Sequence, residues 1–237
     1  MHAAALHAPH VGVHADTAFE RINVRATVQL ARMAVDAGIR RFVFTSTTAL
    51  YGAASRNAAR AVWVDETLTP RPATVYHRTK LAAESALADI TRQQALCVTA
   101  LRMSRCFPEP APQMAAYRLH RGVDARDVAE AHALALQRDT PGMQTYLISA
   151  ETPFLNDDLA ELLGDAPAVL RRRAPALVEA FARRGWQLPL SIDRVYSAAA
   201  ARAAMGWRSR YGFEEVLRLC DAGSTEVLPA TGIIAMP

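Results

Sequence analysis

A chain of 237 residues that is 51% hydrophobic and 21% charged has the balance of a globular protein and enough apolar material for a sizeable core, in one large domain or one and a half. Its net charge of +4 is spread as single arginines, with one run at Arg171–Arg173 and no interleaved aromatics, which argues against a nucleic-acid partner. No apolar run reaches the roughly 18 residues of a membrane helix, no secretory signal pattern is present, and Cys97, Cys106 and Cys220 have neither disulfide nor metal spacing, so a reducing, cytoplasmic setting is expected.

In chain order, Met1 to Gly12 reads as a small-residue loop. His7, His10 and His14 do not repeat on one helix face and have no carboxylate or cysteine cluster beside them, so no metal site is expected. From Phe19 to Gly38 the residues Ile22, Val24, Val28, Leu30, Ala31, Met33, Ala34 and Val35 give a broad apolar face, which predicts a helix stopped by Gly38. Arg41 to Thr45 predicts a short buried strand that breaks into a hydroxyl-rich turn. A turn-rich stretch through Gly52 to about Ala73, with Pro70 and Pro72 as breakers, leads into a helix from about Thr74 to Gln93. Cys97 to Arg102 is the next buried strand, and this succession predicts parallel pairing with a right-handed crossover.

Further on, Arg121 to Gln137 predicts a helix with Asp127 as N-cap and Glu130 completing a capping box. Thr145 to Ser149 predicts a strand. Asn156–Leu163, Ala174–Arg184 and Ser197–Met205 read as helices of a smaller lobe. The Arg171–Arg173 run is expected at a solvated helix start, and the stretch from Gly223 to Pro237 is expected to be loosely held. No internal repeat is found.

The chemistry concentrates between Thr45 and Lys80. Tyr76 and Lys80 are four apart and share one face of the predicted helix. A tyrosine is a poor base at neutral pH, but an ammonium nearby favours the phenolate and lowers its pKa. Lys80 is the sole lysine, and chance places a lone lysine four residues after one of 6 tyrosines in only about 2–3% of such chains. The spacing predicts a tyrosine tuned for proton transfer to or from an alcohol, with a Ser or Thr hydroxyl of the preceding strand end holding the same oxygen.

Thr45-Ser46-Thr47-Thr48-Ala49-Leu50-Tyr51-Gly52 followed by Tyr76-His77-Arg78-Thr79-Lys80 resembles the extended short-chain dehydrogenase/reductases of the NAD-dependent epimerase/dehydratase family. The segment from Ile22 to Ser46 is similar to that family's NVxGT helix and next strand. Asp65-Glu66 with Pro70, Arg121–Gln137 and Met205–Leu219 resemble three later family segments. The resemblance implies an α/β fold, the second part of a Rossmann-like parallel sheet with flanking helices and a small, mainly helical substrate lobe. It implies a division into 1–102, the remaining half of a dinucleotide-binding domain with the catalytic helix; 103–222, the last strands and substrate lobe; and 223–237, a tail.

It also implies a catalytic set of Thr47, Tyr76 and Lys80, Thr47 being four before the tyrosine of Tyr-Gly. Cofactor contacts are implied for Ala3, Ala4, His7, Asn23, Thr45, Tyr76, Lys80 and Ser104, and substrate contacts for Thr47, Thr48 and Arg105. The cofactor is NAD or NADP, with NAD the family's preference. The activity implied is that of an NAD(P)-dependent oxidoreductase, epimerase or dehydratase acting on a hydroxyl or keto group of a sugar-like or other small substrate. A homodimer through the helices 19–38 and 74–93 is expected.

Two departures stand out. Arg105 replaces an asparagine of the family pattern LRxxNVYGP. The 11 glycines include no GxxGxxG turn, which in the family presents N–H groups and a helix N-terminus to the pyrophosphate. The resemblance thus covers nearly the whole chain but only the later two-thirds of the family. Two rival readings follow: a truncated, non-catalytic remnant that binds dinucleotide poorly, or a regulatory dinucleotide-sensing protein.

Overall fold

In the computed structural model, which describes residues 1–230, the chain enters a helix built in three pieces. α1 (Asp16–Phe19) widens into a π turn over Glu20–Arg25 and continues as α2 (Ala26–Asp36), ended by Gly38 at φ 70°. The helix expected from Phe19 therefore begins at Asp16. There follow β1 (Arg41–Thr47), β2 (Val62–Val64), α3 (Val75–Gln93), β3 (Cys97–Met103), α4 (Ala111–Tyr117), α5 (Ala125–Leu136) and β4 (Met143–Ile148). The last part holds α6 (Leu159–Gly164), α7 (Ala166–Arg173), α8 (Pro175–Arg184), β5 (Arg194–Tyr196), α9 (Ala199–Met205) and α10 (Phe213–Asp221).

The main sheet is parallel, in the order β1–β3–β4. His2 adds a bridge on the other edge of β1: its N–H donates to the Val43 carbonyl at 2.8 Å and its carbonyl accepts from Thr45 N–H at 3.0 Å. Phe42 and Phe44 of β1 pack with Ala31 and Ala34 of α2 and with Ala83 and Leu87 of α3. Val43 and Leu101 face the opposite way, into a cluster with Val128 and Ala131 of α5. Helices cover both faces, so β1 and β3 carry near-continuous apolar runs and no alternation.

A second, two-stranded parallel sheet joins β2 to β5. The sequence reading had only a turn-rich stretch at β2, because three residues are too few to display a period. β2 and β5 border a separate core in which Leu162, Val169, Leu177, Phe181, Val195 and Val216 are buried.

Three local expectations are corrected. The N-cap of α5 is Asp124, whose carboxylate accepts from Arg126 N–H at 3.0 Å. Asp127 is instead buried within the first turn, where it accepts from the N–H groups of Arg210 (2.9 Å) and Tyr211 (3.2 Å). The Arg171–Arg173 run ends α7, a helix the sequence reading lacked, and does not start one. A helix C-terminus favours cations, and Arg172 and Arg173 clasp the buried Asp158 at 3.0 and 2.9 Å. The stretch after Gly223 is tied down at Val227, which is buried, and at Leu228, which bridges Pro110 and donates to the Glu109 carbonyl at 2.9 Å. The rest of the expected tail, 231–237, lies outside the described residues.

Candidate active site

The site lies where the C-terminal end of β1 meets the first turns of α3. Thr74 starts α3 by accepting from His77 N–H at 3.3 Å, and this sets Tyr76 and Lys80 one turn apart. Lys80 is buried at 3% exposure. Its Nζ donates to the Thr45 carbonyl at 2.5 Å and lies 3.9 Å from the centroid of the Phe44 ring. Burial holds its pKa down to about 8, against the upward pull of Glu84.

Tyr76 behaves differently from the sequence expectation. Burial pushes its phenol above the ordinary value, and the neighbouring Thr47 hydroxyl opposes that rise. The ammonium of Lys80 is directed at the β1 backbone and does not set the phenol's pKa here. The spacing places the two residues correctly on one face but does not fix which way a flexible lysine head turns.

Thr47 caps the short turn Thr48–Tyr51, its hydroxyl oxygen accepting from Ala49 N–H at 3.1 Å. Its own proton is left for a partner on the Tyr76 side. Thr48 is buried. Tyr51 is wholly buried, donates to the Asp65 carbonyl at 2.7 Å and accepts from Arg102 at 3.0 Å, so the tyrosine of Tyr-Gly is structural. Gly52 takes φ 52°, ψ −122° and bridges Arg71, which ties the strand end to the entrance of α3.

The other expected residues divide in two. Asn23 is buried in the π turn. Its Oδ1 accepts from Leu6 N–H at 2.8 Å, and its Nδ2 donates to the Leu6 carbonyl (2.9 Å) and to Thr79 (3.1 Å). It is a clamp between the opening loop and α3, not a surface amide. Ala3 and Ala4 are exposed just past His2, whose ring meets the Thr27 hydroxyl at 2.8 Å. Ser104 is buried, its N–H bonded to the Ile148 carbonyl and its hydroxyl without a partner among the described residues. Thr45 gives its carbonyl to Lys80 and its hydroxyl, at 2.7 Å, to Nε2 of His132. The Nδ1–H of that ring donates to the Val128 carbonyl at 2.8 Å, which leaves Nε2 to accept.

Two residues lie farther out. His7 stacks on Phe107 with ring centroids 6.0 Å apart. Arg105 pairs with Glu109 in a cluster that includes Gln113 and Tyr117, so its charge is already answered. Sequence reasoning missed His132, although it closes the DVAEAH segment, and Cys106, whose thiol is electrostatically coupled to Tyr76 and is itself pushed up by burial. Among the described residues no group of three His, Cys, Asp or Glu side chains could hold a metal ion, and no helix is long and apolar enough to cross a membrane.

Residues 1–116 match the model of the NAD dependent epimerase/dehydratase family. A UDP-glucose 4-epimerase of Rhizobium leguminosarum bv. trifolii is 28% identical, with 92% of this chain and 74% of that protein covered. Among solved structures, RMD from Pseudomonas aeruginosa complexed with NADPH is 21% identical, with a TM-score of 0.63 over 92% of this chain and 78% of the other. A UDP-glucose-4-epimerase from Stenotrophomonas maltophila with bound NAD and formylated UDP-arabinopyranose is likewise 21% identical, with a TM-score of 0.63 over 91% and 72%. These structures share the fold with the present chain.

Proposed function

We propose that the chain, whose residues 1–116 match the model of the NAD dependent epimerase/dehydratase family, is an NAD(P)-dependent oxidoreductase, epimerase or dehydratase of a sugar-like substrate. The observation that carries this reading is the convergence of Thr47, Tyr76 and Lys80 at the carboxyl end of a parallel sheet, where open α/β folds place their ligands. The UDP-glucose 4-epimerase relative makes UDP-glucose the first substrate to try.

The residues present fit the nicotinamide end of a dinucleotide. Ala3 and Ala4 offer exposed backbone, Asn23 fixes the loop at Leu6, Ser104 has a buried hydroxyl without a partner among the described residues, and Tyr76 and Lys80 supply a hydroxyl and a cation for ribose. Bound there, the cofactor would take up and return hydride. The protein's part is the proton. With its pKa raised, the Tyr76 phenol is protonated at neutral pH and donates to a forming alkoxide, while Thr47 holds that oxygen. In the reverse direction Lys80, one helical turn away, stabilises a phenolate once its ammonium turns from the Thr45 carbonyl toward Tyr76.

The rival reading, a chain that binds dinucleotide poorly, is favoured by one observation: these 237 residues contain no GxxGxxG turn to receive the pyrophosphate. Calorimetric titration of the 237-residue polypeptide with NAD and NADP decides between them. The rival predicts a dissociation constant weaker than about 10 μM, roughly −7 kcal/mol, and the enzyme reading a tighter one. Tighter binding would eliminate the rival and strengthen the enzyme reading.

The helices 19–38 and 74–93 remain the proposed dimer contact. Leu30 and Met33 of α2 are 43% and 56% exposed, and Met33 lines a shallow groove with Val24 and Val28. Sedimentation at micromolar concentration should give a dimer, and a monomer there would refute the contact.

A further inference from the structure

Tyr76, Lys80 and Glu84 are spaced four apart along one face of α3, and the third has no place in the chemistry above. Glu84 is 4% exposed. Both of its oxygens are committed: Oε1 accepts from Ser46 (2.5 Å) and from Nε of Arg102 (3.1 Å), and Oε2 accepts from Nη2 of Arg102 (2.7 Å). Ser46 and Arg102 are register partners across β1 and β3, so the sheet presents both side chains to α3 together. Arg102 also donates to the Tyr51 hydroxyl. This is a bidentate, charge-assisted clamp of the strong kind, joining two strands, the helix and the turn after Thr47.

We propose that Glu84 is a positioning residue of this site, which keeps Lys80 in its charged form and fixes the end of β1 against α3. The inference rests on the reading of Lys80 as the cation of the site. A buried ammonium without a counter-charge tends to lose its proton. Among the described residues Lys80 forms no ion pair within 4.0 Å. The groups around it are Tyr76 and Glu84 on its own helix, the Phe44 ring and Thr45 carbonyl of β1, His2 beside β1, His132 of α5 behind Thr45, and Arg102 of β3 behind Glu84. Glu84 is the one carboxylate in that set, and its attraction opposes the effect of burial. The Arg102 guanidinium, hydrogen-bonded to Glu84, offsets part of this attraction, so the carboxylate acts on Lys80 as the near end of an ion pair whose cation stands on β3.

The composition supplies the test. Lys80 is the sole lysine, so the full chain grown on isotope-labelled lysine gives one side-chain NMR signal, which can be titrated without substrate or cofactor. The parent should titrate near pH 8. Glu84→Gln keeps the shape and removes the charge, and the midpoint should fall by about one pH unit or more. Because this leaves Arg102 buried without its counter-ion, a double variant, Glu84→Met with Arg102→Met, replaces the pair by apolar residues of similar size and should fold, and since both charges are gone its midpoint should fall less than that of Glu84→Gln. Glu84→Asp withdraws the carboxylate by one methylene and should show a smaller fall.

A midpoint unchanged in the folded variants overturns the proposal. So does a fall in the Asp variant as large as that in Gln, since loss of packing and not of charge would then be responsible. Should neither charge-free variant fold, the Asp variant decides, and an unmoved midpoint there also refutes it. These outcomes are separate from the proposed reaction, which stands or falls on turnover and not on the Lys80 midpoint.

Discussion

Tyr76→Phe is expected to lower turnover by at least about 100-fold, the usual scale of general acid–base catalysis. The change removes one oxygen and keeps the ring, so the packing of α3 against β1 should survive. Circular dichroism and the melting temperature should match the parent. What is lost is the group that exchanges a proton with the substrate oxygen. Thr47 remains to hold that oxygen, but its own oxygen is tied to Ala49 N–H, and an aliphatic hydroxyl is a far weaker acid than a phenol. The effect should fall on kcat more than on KM, since the phenol contributes chiefly in the transition state. Near-normal turnover in this variant, on whichever substrate the parent converts, would remove Tyr76 from the catalytic set.

Gly52→Ala is expected to be the most damaging single methyl addition near the site. At φ 52° a side chain is strained, and an added Cβ would sit 2.2 Å from the Arg71 carbonyl oxygen and 3.2 Å from Ala73 N. Backbone strain and overpacking together should cost on the order of 3 kcal/mol, which in a chain of this size lowers the melting temperature by about 6–12 °C. The clash is with backbone, so no side chain can swing aside to relieve it. The segment that must move, Arg71 to Ala73, leads directly into the Thr74 cap of α3 and hence to Tyr76. Activity should therefore fall along with stability. Gly142→Ala is the control: it also has positive φ, but nothing lies within 4 Å of the added methyl, so about 1 kcal/mol is expected. Equal melting temperatures for the two variants would show that the contact with Arg71 is yielding.

The site was legible in the sequence to the extent that it is written in local spacing. Tyr76 and Lys80 share a helix face because they are one turn apart, and Thr47 follows directly on the Arg41–Thr45 strand read from its apolar run, which the structure carries on to Thr47. What local spacing cannot encode is the direction of a flexible side chain. Lys80 turns to the Thr45 carbonyl, Asn23 turns inward through a π turn that no periodicity marks, and Asp127 is taken by backbone from a segment some eighty residues away. The same limit explains β2, β5 and α7. The two strands are three residues each and exist because they meet, while α7 is a short helix whose polar end is made stable by Asp158.

The small sheet has a consequence for how the molecule comes together. Val62 pairs with Arg194, roughly 130 residues along the chain, and joining points so far apart costs on the order of 4 kcal/mol in loop-closure entropy before any contact repays it. No local segment can form that pairing in advance. The three rungs between β2 and β5 need both the turn that follows β1 and the helices that precede β5 to be in place first. Topologies dominated by such distant pairings are the slow ones, and the β2–β5 contact is expected among the later ones to form.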